Sequence, residues 1–159
     1  MRSLKTKPKG FAFRLEVILV SESTNVLPDI RKTQLLKAPI EKVWKAVSTA
    51  EGMSAWFMPN DMQPIVGHEF HLNAGPYGQS PCKVTEVDPP HRLSFNWGKD
   101  WTLTIELKEL DGQTEFTLIH GGWDPEKVTE FGETHRVVRE RMAGGWEGIG
   151  EKVRRYIEG

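Results

Sequence analysis

The chain has little with which to cross-link itself: among 159 residues there is one cysteine, Cys82. A lone thiol cannot close an internal disulfide, which suits a reducing compartment and gives the expectation of a cytoplasmic protein. Net charge is scarce as well. The 21 basic and 22 acidic residues leave −1, which excludes the broad basic footprint that nucleic acid or an anionic membrane surface calls for. No apolar run approaches the roughly eighteen residues of a membrane-spanning helix. The leader MRSLKTKPKGFAFRLEVILV joins a basic start to a more apolar stretch. Arg14 and Glu16 interrupt that stretch and no small-residue cleavage site follows, so it does not read as a signal peptide. Phosphate-cradling glycine loops, dinucleotide fingerprints and nucleophile elbows are also missing.

What the chain has instead is tryptophan, six of them, and an orderly series of elements from Leu27 onward. Residues 1–27 stand apart as an N-terminal extension. Phe11, Phe13, Leu15, Val17 and Leu19 alternate at period two, which fits either an extra strand or a segment outside the fold. Residues 28–159 read as a single domain. Its first strand spans 30–37. Pro39 then opens a helix whose Ile40, Val43, Trp44 and Val47 make one apolar face. Ser48 and Glu51 have capping-box spacing for a second short helix through Trp56. Strands follow near 67–73, 81–87, 92–97, 101–110 and 113–120, with a short one expected near 62–66. Asp111-Gly112 is the strongest hairpin signal among their turns. From Asp124-Pro125 onward, Val128, Phe131, His135, Val138, Met142, Trp146, Ile149, Val153 and Tyr156 recur at helical spacing, which predicts one amphipathic helix of nearly eight turns. One antiparallel sheet has one face to bury and a long helix to cover it. The expected fold is therefore α+β, about six to seven strands curled around a long C-terminal helix.

The five histidines do not form a metal site. His68 and His71, three apart on a strand, point to opposite faces. His120 continues the apolar parity of Phe116 and Leu118, and His135 sits within the helical stripe. Each fits either a buried, hydrogen-bonded histidine or a polar contact to a ligand, and each lacks the partners a catalytic histidine needs. Cys82 shares parity with Val84 and reads as an inert, partly buried thiol. The aromatics are the clearest constellation. Leu93, Phe95 and Trp97 share one strand face, Trp101, Leu103, Ile105 and Leu107 the next, and Phe70, Leu72 and Val84 join them opposite Phe131, Met142 and Trp146. Trp97 and Trp101 lie at a hairpin mouth, where a large ring can touch both ligand and water.

The segments APIEKVWKAVSTAEGMSAWF, FTLIHGGW and RMAGGWEGIG together resemble the START-like (SRPBCC) superfamily. The branch they are most similar to is named for homologues of the C-terminal domain of the heat-shock-protein-90 ATPase activator. The likeness runs from about Leu27 to Ile157. It implies a helix-grip fold with a cavity between sheet and terminal helix, in a family that binds lipids, sterols, polyketides and other apolar molecules and includes some cyclases and hydrolases. The implied cavity residues are Trp56, Phe57, Phe70, Val84, Phe95, Trp97, Trp101, Leu103, His120, His135, Met142 and Trp146. The expectation is a non-enzymatic carrier or sensor of a small apolar, aromatic or lipid-like ligand, without metal or cofactor. The alternatives are a cyclase- or hydrolase-type enzyme using His120 or His135, and a chaperone-interacting module of the kind a stress response employs.

The stretch RMAGGWEGIG loads the last helix with four glycines. On a helical wheel Gly144 and Gly148 fall on its back, while Gly145 and Gly150 flank the stripe beside Trp146. The glycines fit a bend at Gly144-Gly145, a close approach to neighbouring elements, or, for Gly145, volume left for a ligand.

Overall fold

The computed structural model describes residues 27–159, so the period-two run in residues 11–19 lies outside them. The described residues form two compact units, one of Asp29–Gly122 with Arg139–Gly159, the other of Trp123–Val138 with Leu27 and Pro28.

The elements run β1 (Ile30–Leu36), α1 (Ile40–Ser48), α2 (Ala50–Trp56), β2 (Glu69–Asn73), a 3-10 turn (Gly75–Tyr77), β3 (Gln79–Asp88), β4 (Arg92–Trp97), β5 (Trp101–Leu110), β6 (Gln113–Gly121) and α3 (His135–Glu158). The six strands make one curved, open antiparallel sheet in the order β1-β6-β5-β4-β3-β2. The expected α+β architecture is therefore present, with two short helices after the first strand and a long helix at the end.

Local chemistry explains most of the boundaries. Asp111 and Gly112 have φ of 53° and 79°, the paired positive dihedrals of the tightest hairpin turn, and they join β5 to β6. Pro39 caps α1, and Ile40, Val43, Ala46 and Val47 form its buried face. The cap of α2 is Thr49 rather than Ser48: the Thr49 hydroxyl accepts from Gly52 N–H at 3.0 Å. Gly52 is there because the helices nearly touch. A Cβ at that position would lie 2.4 Å from the Ala46 carbonyl oxygen.

Two further expectations are corrected. No strand forms near 62–66; residues 59–61 instead run along the free edge of β2. Asn73 N–H donates to Pro59 O at 2.8 Å, His71 N–H donates to Asp61 Oδ1 at 2.9 Å, and Asn60 pairs with Leu72. The last helix begins at His135, not near Asp124. Thr129 and Gly132 close a turn, Gly132 has φ 83°, and Val128 bridges Thr134. Val128 and Phe131 match the helical spacing but are 54% and 58% exposed, so neither belongs to the buried stripe.

From His135 to Glu158 the helix is unbroken, so the glycines do not interrupt it. Along β1, the other edge of the sheet, α3 is held by polar tethers. Lys32 pairs with Glu147 at 2.6 Å, and Gln34 Nε2 donates to Gly150 O at 3.0 Å. Arg154 donates to Gln34 Oε1 at 2.8 Å, and Lys37 N–H donates to Glu158 at 2.8 Å. A Cβ at Gly150 would sit 3.4 Å from Gln34 Nε2, at the edge of ordinary contact. At Gly144, Gly145 and Gly148 a Cβ would meet nothing within 4 Å.

Candidate functional site

Antiparallel register places the inward residues of β1–β6 in rows across the sheet. One row runs Ile30–His120–Leu103–Phe95–Val84 and the next runs Trp101–Trp97–Cys82–Phe70. Period-two alternation within each strand and a fixed register between strands are together enough to gather these side chains on one face. The rows bring together seven of the residues expected at the site: Phe70, Val84, Phe95, Trp97, Trp101, Leu103 and His120.

The other members come from the helices. Trp56, at the end of α2, is fully buried, and its indole Nε1 donates to Ala46 O at 2.9 Å. Phe57 follows it, half-buried, its N–H closing α2 on Met53 O at 2.8 Å. Trp146 projects from α3 and is 4% exposed. The rings form a continuous set. Phe57 lies 5.5 Å from Trp56, 5.6 Å from Trp97 and 5.3 Å from Trp146. Trp97 lies 5.3 Å from Trp101 and stacks on His120 at 5.2 Å. These are the separations of favourable offset and edge-to-face pairs.

His120 is the polar centre of this set. The Trp146 Nε1–H donates to its Nδ1 at 3.1 Å, so Nδ1 is an acceptor. Burial, aided by the Arg139 charge, pushes the His120 pKa down to about 3; donation to the neutral ring acts in the same direction. A stability effect follows. Below about pH 6.5 the unfolded chain takes up a proton that folded His120 refuses. Stability therefore falls with acidification, by at most about 1.4 kcal/mol per pH unit, until the folded histidine protonates near pH 3. Above pH 6.5 this group contributes no slope. Denaturation midpoints from pH 7 to 4 should show it, and in His120→Asn, which keeps an acceptor near Nδ1 but does not titrate, the acid slope should be flatter than in wild type. Equal slopes in both proteins would refute this assignment.

The remaining candidates lie as follows. His135 is buried, 1% exposed, within the smaller unit, where its Nδ1 accepts from Asp124 N–H at 3.2 Å and its ring meets Trp123 edge-on at 5.8 Å. Met142 is half-buried, and Gly145 lies on the exposed side of α3. Cys82 is buried, and desolvation pushes its thiol up to about 12, consistent with an unreactive group. His68 and His71 both neighbour Asp61, whose carboxyl is held below its ordinary range chiefly by the His71 N–H. Among the described residues no group of three or more His, Cys, Asp or Glu side chains could hold a metal ion. Surface hollows of about 330 and 340 Å³ lie elsewhere, one beside Arg92 and Glu106, the other beside Lys42, Lys45 and Tyr156. No helix among the described residues is long and apolar enough to cross a membrane.

Sequence reasoning missed a group that holds a ring and one that shifts the His120 pKa. Ala46 O, which holds Trp56, and Arg139, which acts on His120, carry no local signal; only the fold brings them to their partners.

A family model described as Activator of Hsp90 ATPase homolog 1-like protein matches residues 37–158. No curated protein matches the chain. Among solved structures, Bacillus halodurans protein BH1534 is 46% identical with a TM-score of 0.77, over 84% of this chain and 99% of that one. DynU16, from the dynemicin biosynthetic locus, is 20% identical with a TM-score of 0.68, over 84% of this chain and 48% of its own. The Aha1 dimer from Colwellia psychrerythraea is 18% identical with a TM-score of 0.65, over 83% of this chain and 97% of that one. The last two likenesses are of fold.

Proposed function

The chain belongs to the activator of Hsp90 ATPase homolog 1-like family, and from that membership and its inward aromatic set we propose that it binds a small, largely apolar, planar aromatic or lipid-like ligand between the sheet and α3. The observation that carries this reading is the continuous ring set of Phe57, Trp97, Trp101, His120 and Trp146. Aromatic walls with few polar groups favour flat apolar molecules over sugars, phosphates or peptides. The likeness to DynU16, a protein from a biosynthetic locus, fits a small-molecule ligand. A binding role is favoured over catalysis because His120 is deprotonated at neutral pH and its Nδ1 is engaged by Trp146. A histidine so held has no proton to give as a general acid, and this nitrogen is not available as a base.

The test is a panel of fatty acids, sterols and polycyclic aromatics, read by tryptophan fluorescence and by amide and indole N–H shifts. Saturable binding of planar aromatics with shifts at Trp97, His120 and Trp146 is expected. If no member of the panel moves those signals, the reading fails.

A further inference from the structure

We propose that Phe57 is a built-in occupant of a single-ring aromatic subsite, and that an aromatic ligand enters by displacing it. This rests on the binding role just proposed and assigns the subsite within it. Three observations converge. First, the Phe57 ring lies in a slot with three aromatic walls. Trp56 stacks on it at 18°, Trp146 is tilted at 33°, and Trp97 meets it edge-on at 87°. That is the environment a bound planar ring would have.

Second, each wall has an anchor besides the Phe57 side chain. Trp56 is pinned through its indole N–H to Ala46 O, and Trp146 through its own to His120. Trp97 is fixed in the sheet between Cys82 and Trp101. Walls anchored in this way relax only in part when the central ring leaves, and an apolar space of that size takes up an aromatic guest.

Third, Phe57 differs from its walls in burial. Trp56, Trp97 and Trp146 are 0%, 5% and 4% exposed, whereas Phe57 is half-buried at the end of α2. Part of the residue is open to solvent. Rotation about χ1 can carry it outward without breaking its N–H bond to Met53 O, and side-chain rotation at a partly exposed position is fast. The slot therefore takes an uncharged, flat ring. A charged ring would lose its hydration without a buried partner, and a branched aliphatic group would lose the stacking that fills the slot.

The test compares the full-length wild type with Phe57→Ala, using benzene as probe. Phe57→Ala should bind benzene about tenfold or more tighter than wild type, because no internal ring competes. The indole N–H signals of Trp97 and Trp146 should respond. In the wild type, 2-naphthol should weaken the nuclear Overhauser contact between the Phe57 and Trp146 rings as it binds. A folded Phe57→Ala that takes up no benzene overturns the proposal. So does 2-naphthol bound with the Phe57–Trp146 contact intact, which also decides the matter if the variant does not fold. If Phe57→Ala accepts benzene while the wild type binds nothing on the panel, the slot stands as a ring-sized space, and both displacement of Phe57 and the binding role fall.

Discussion

Gly122→Ala should destabilise the protein by about 3–5 kcal/mol, a large part of the total stability of an ordinary domain. Two penalties combine. Gly122 has φ 91°, a conformation that costs a residue with a side chain about 1–3 kcal/mol. Its added Cβ would also lie 2.0 Å from Asp100 O and 2.9 Å from Trp101 Cα. Both neighbours are backbone, so no side chain can rotate away, and the β4–β5 turn that presents Trp101 would have to move. Gly52→Ala, whose Cβ would meet Ala46 O at 2.4 Å, should act in the same direction, less strongly because alanine favours the helix. Gly144→Ala and Gly148→Ala have open space and should stabilise α3 by about 0.5–1 kcal/mol each. Urea midpoints at constant m-value measure all four. Opposite signs for the two pairs are expected, and a Gly122→Ala midpoint equal to wild type would refute the steric account.

The same glycines show what the sequence can convey and what it cannot. Composition marks all of them alike; only the neighbours brought by the fold separate Gly52 and Gly122 from Gly144 and Gly148. Strand parity was legible because period two is a local property. It placed Phe95, Trp97, Leu103 and His120 on one face, and the antiparallel pairing then set them side by side. Helical period placed Trp146 correctly on the buried stripe but also admitted Val128 and Phe131. Spacing alone does not register that Gly132 turns the chain at φ 83°. The Gln34–Arg154 contact joins residues 120 apart, and no local pattern announces it. Phe57 was legible as an aromatic beside the site. Its place among three rings was not, because it follows the end of α2, where periodicity no longer applies.

Trp146→Ala should cost about 3–5 kcal/mol, the range for truncating a buried aromatic, and should remove aromatic ligand binding. The indole lies between Phe57 at 5.3 Å and His120 at 5.7 Å, so its loss opens the site on the α3 side and removes a wall. Trp146→Phe separates packing from hydrogen bonding. It keeps most of the apolar surface but removes the N–H that donates to His120 Nδ1 at 3.1 Å. A buried acceptor left without its donor costs about 1–3 kcal/mol. The loss has a second signature. Burial and then the Arg139 charge hold the His120 pKa near 3; donation to Nδ1 also favours the neutral ring, so without it the pKa should rise part of the way toward its ordinary value. The histidine ring signals of Trp146→Phe should then titrate at higher pH than in wild type, and the acid loss of stability should begin no earlier but end sooner, because the folded and unfolded pKa values lie closer together. A variant that loses stability with its His120 titration unmoved would show that the indole acts through packing alone, and that the Trp146–His120 bond does not set the state of the histidine.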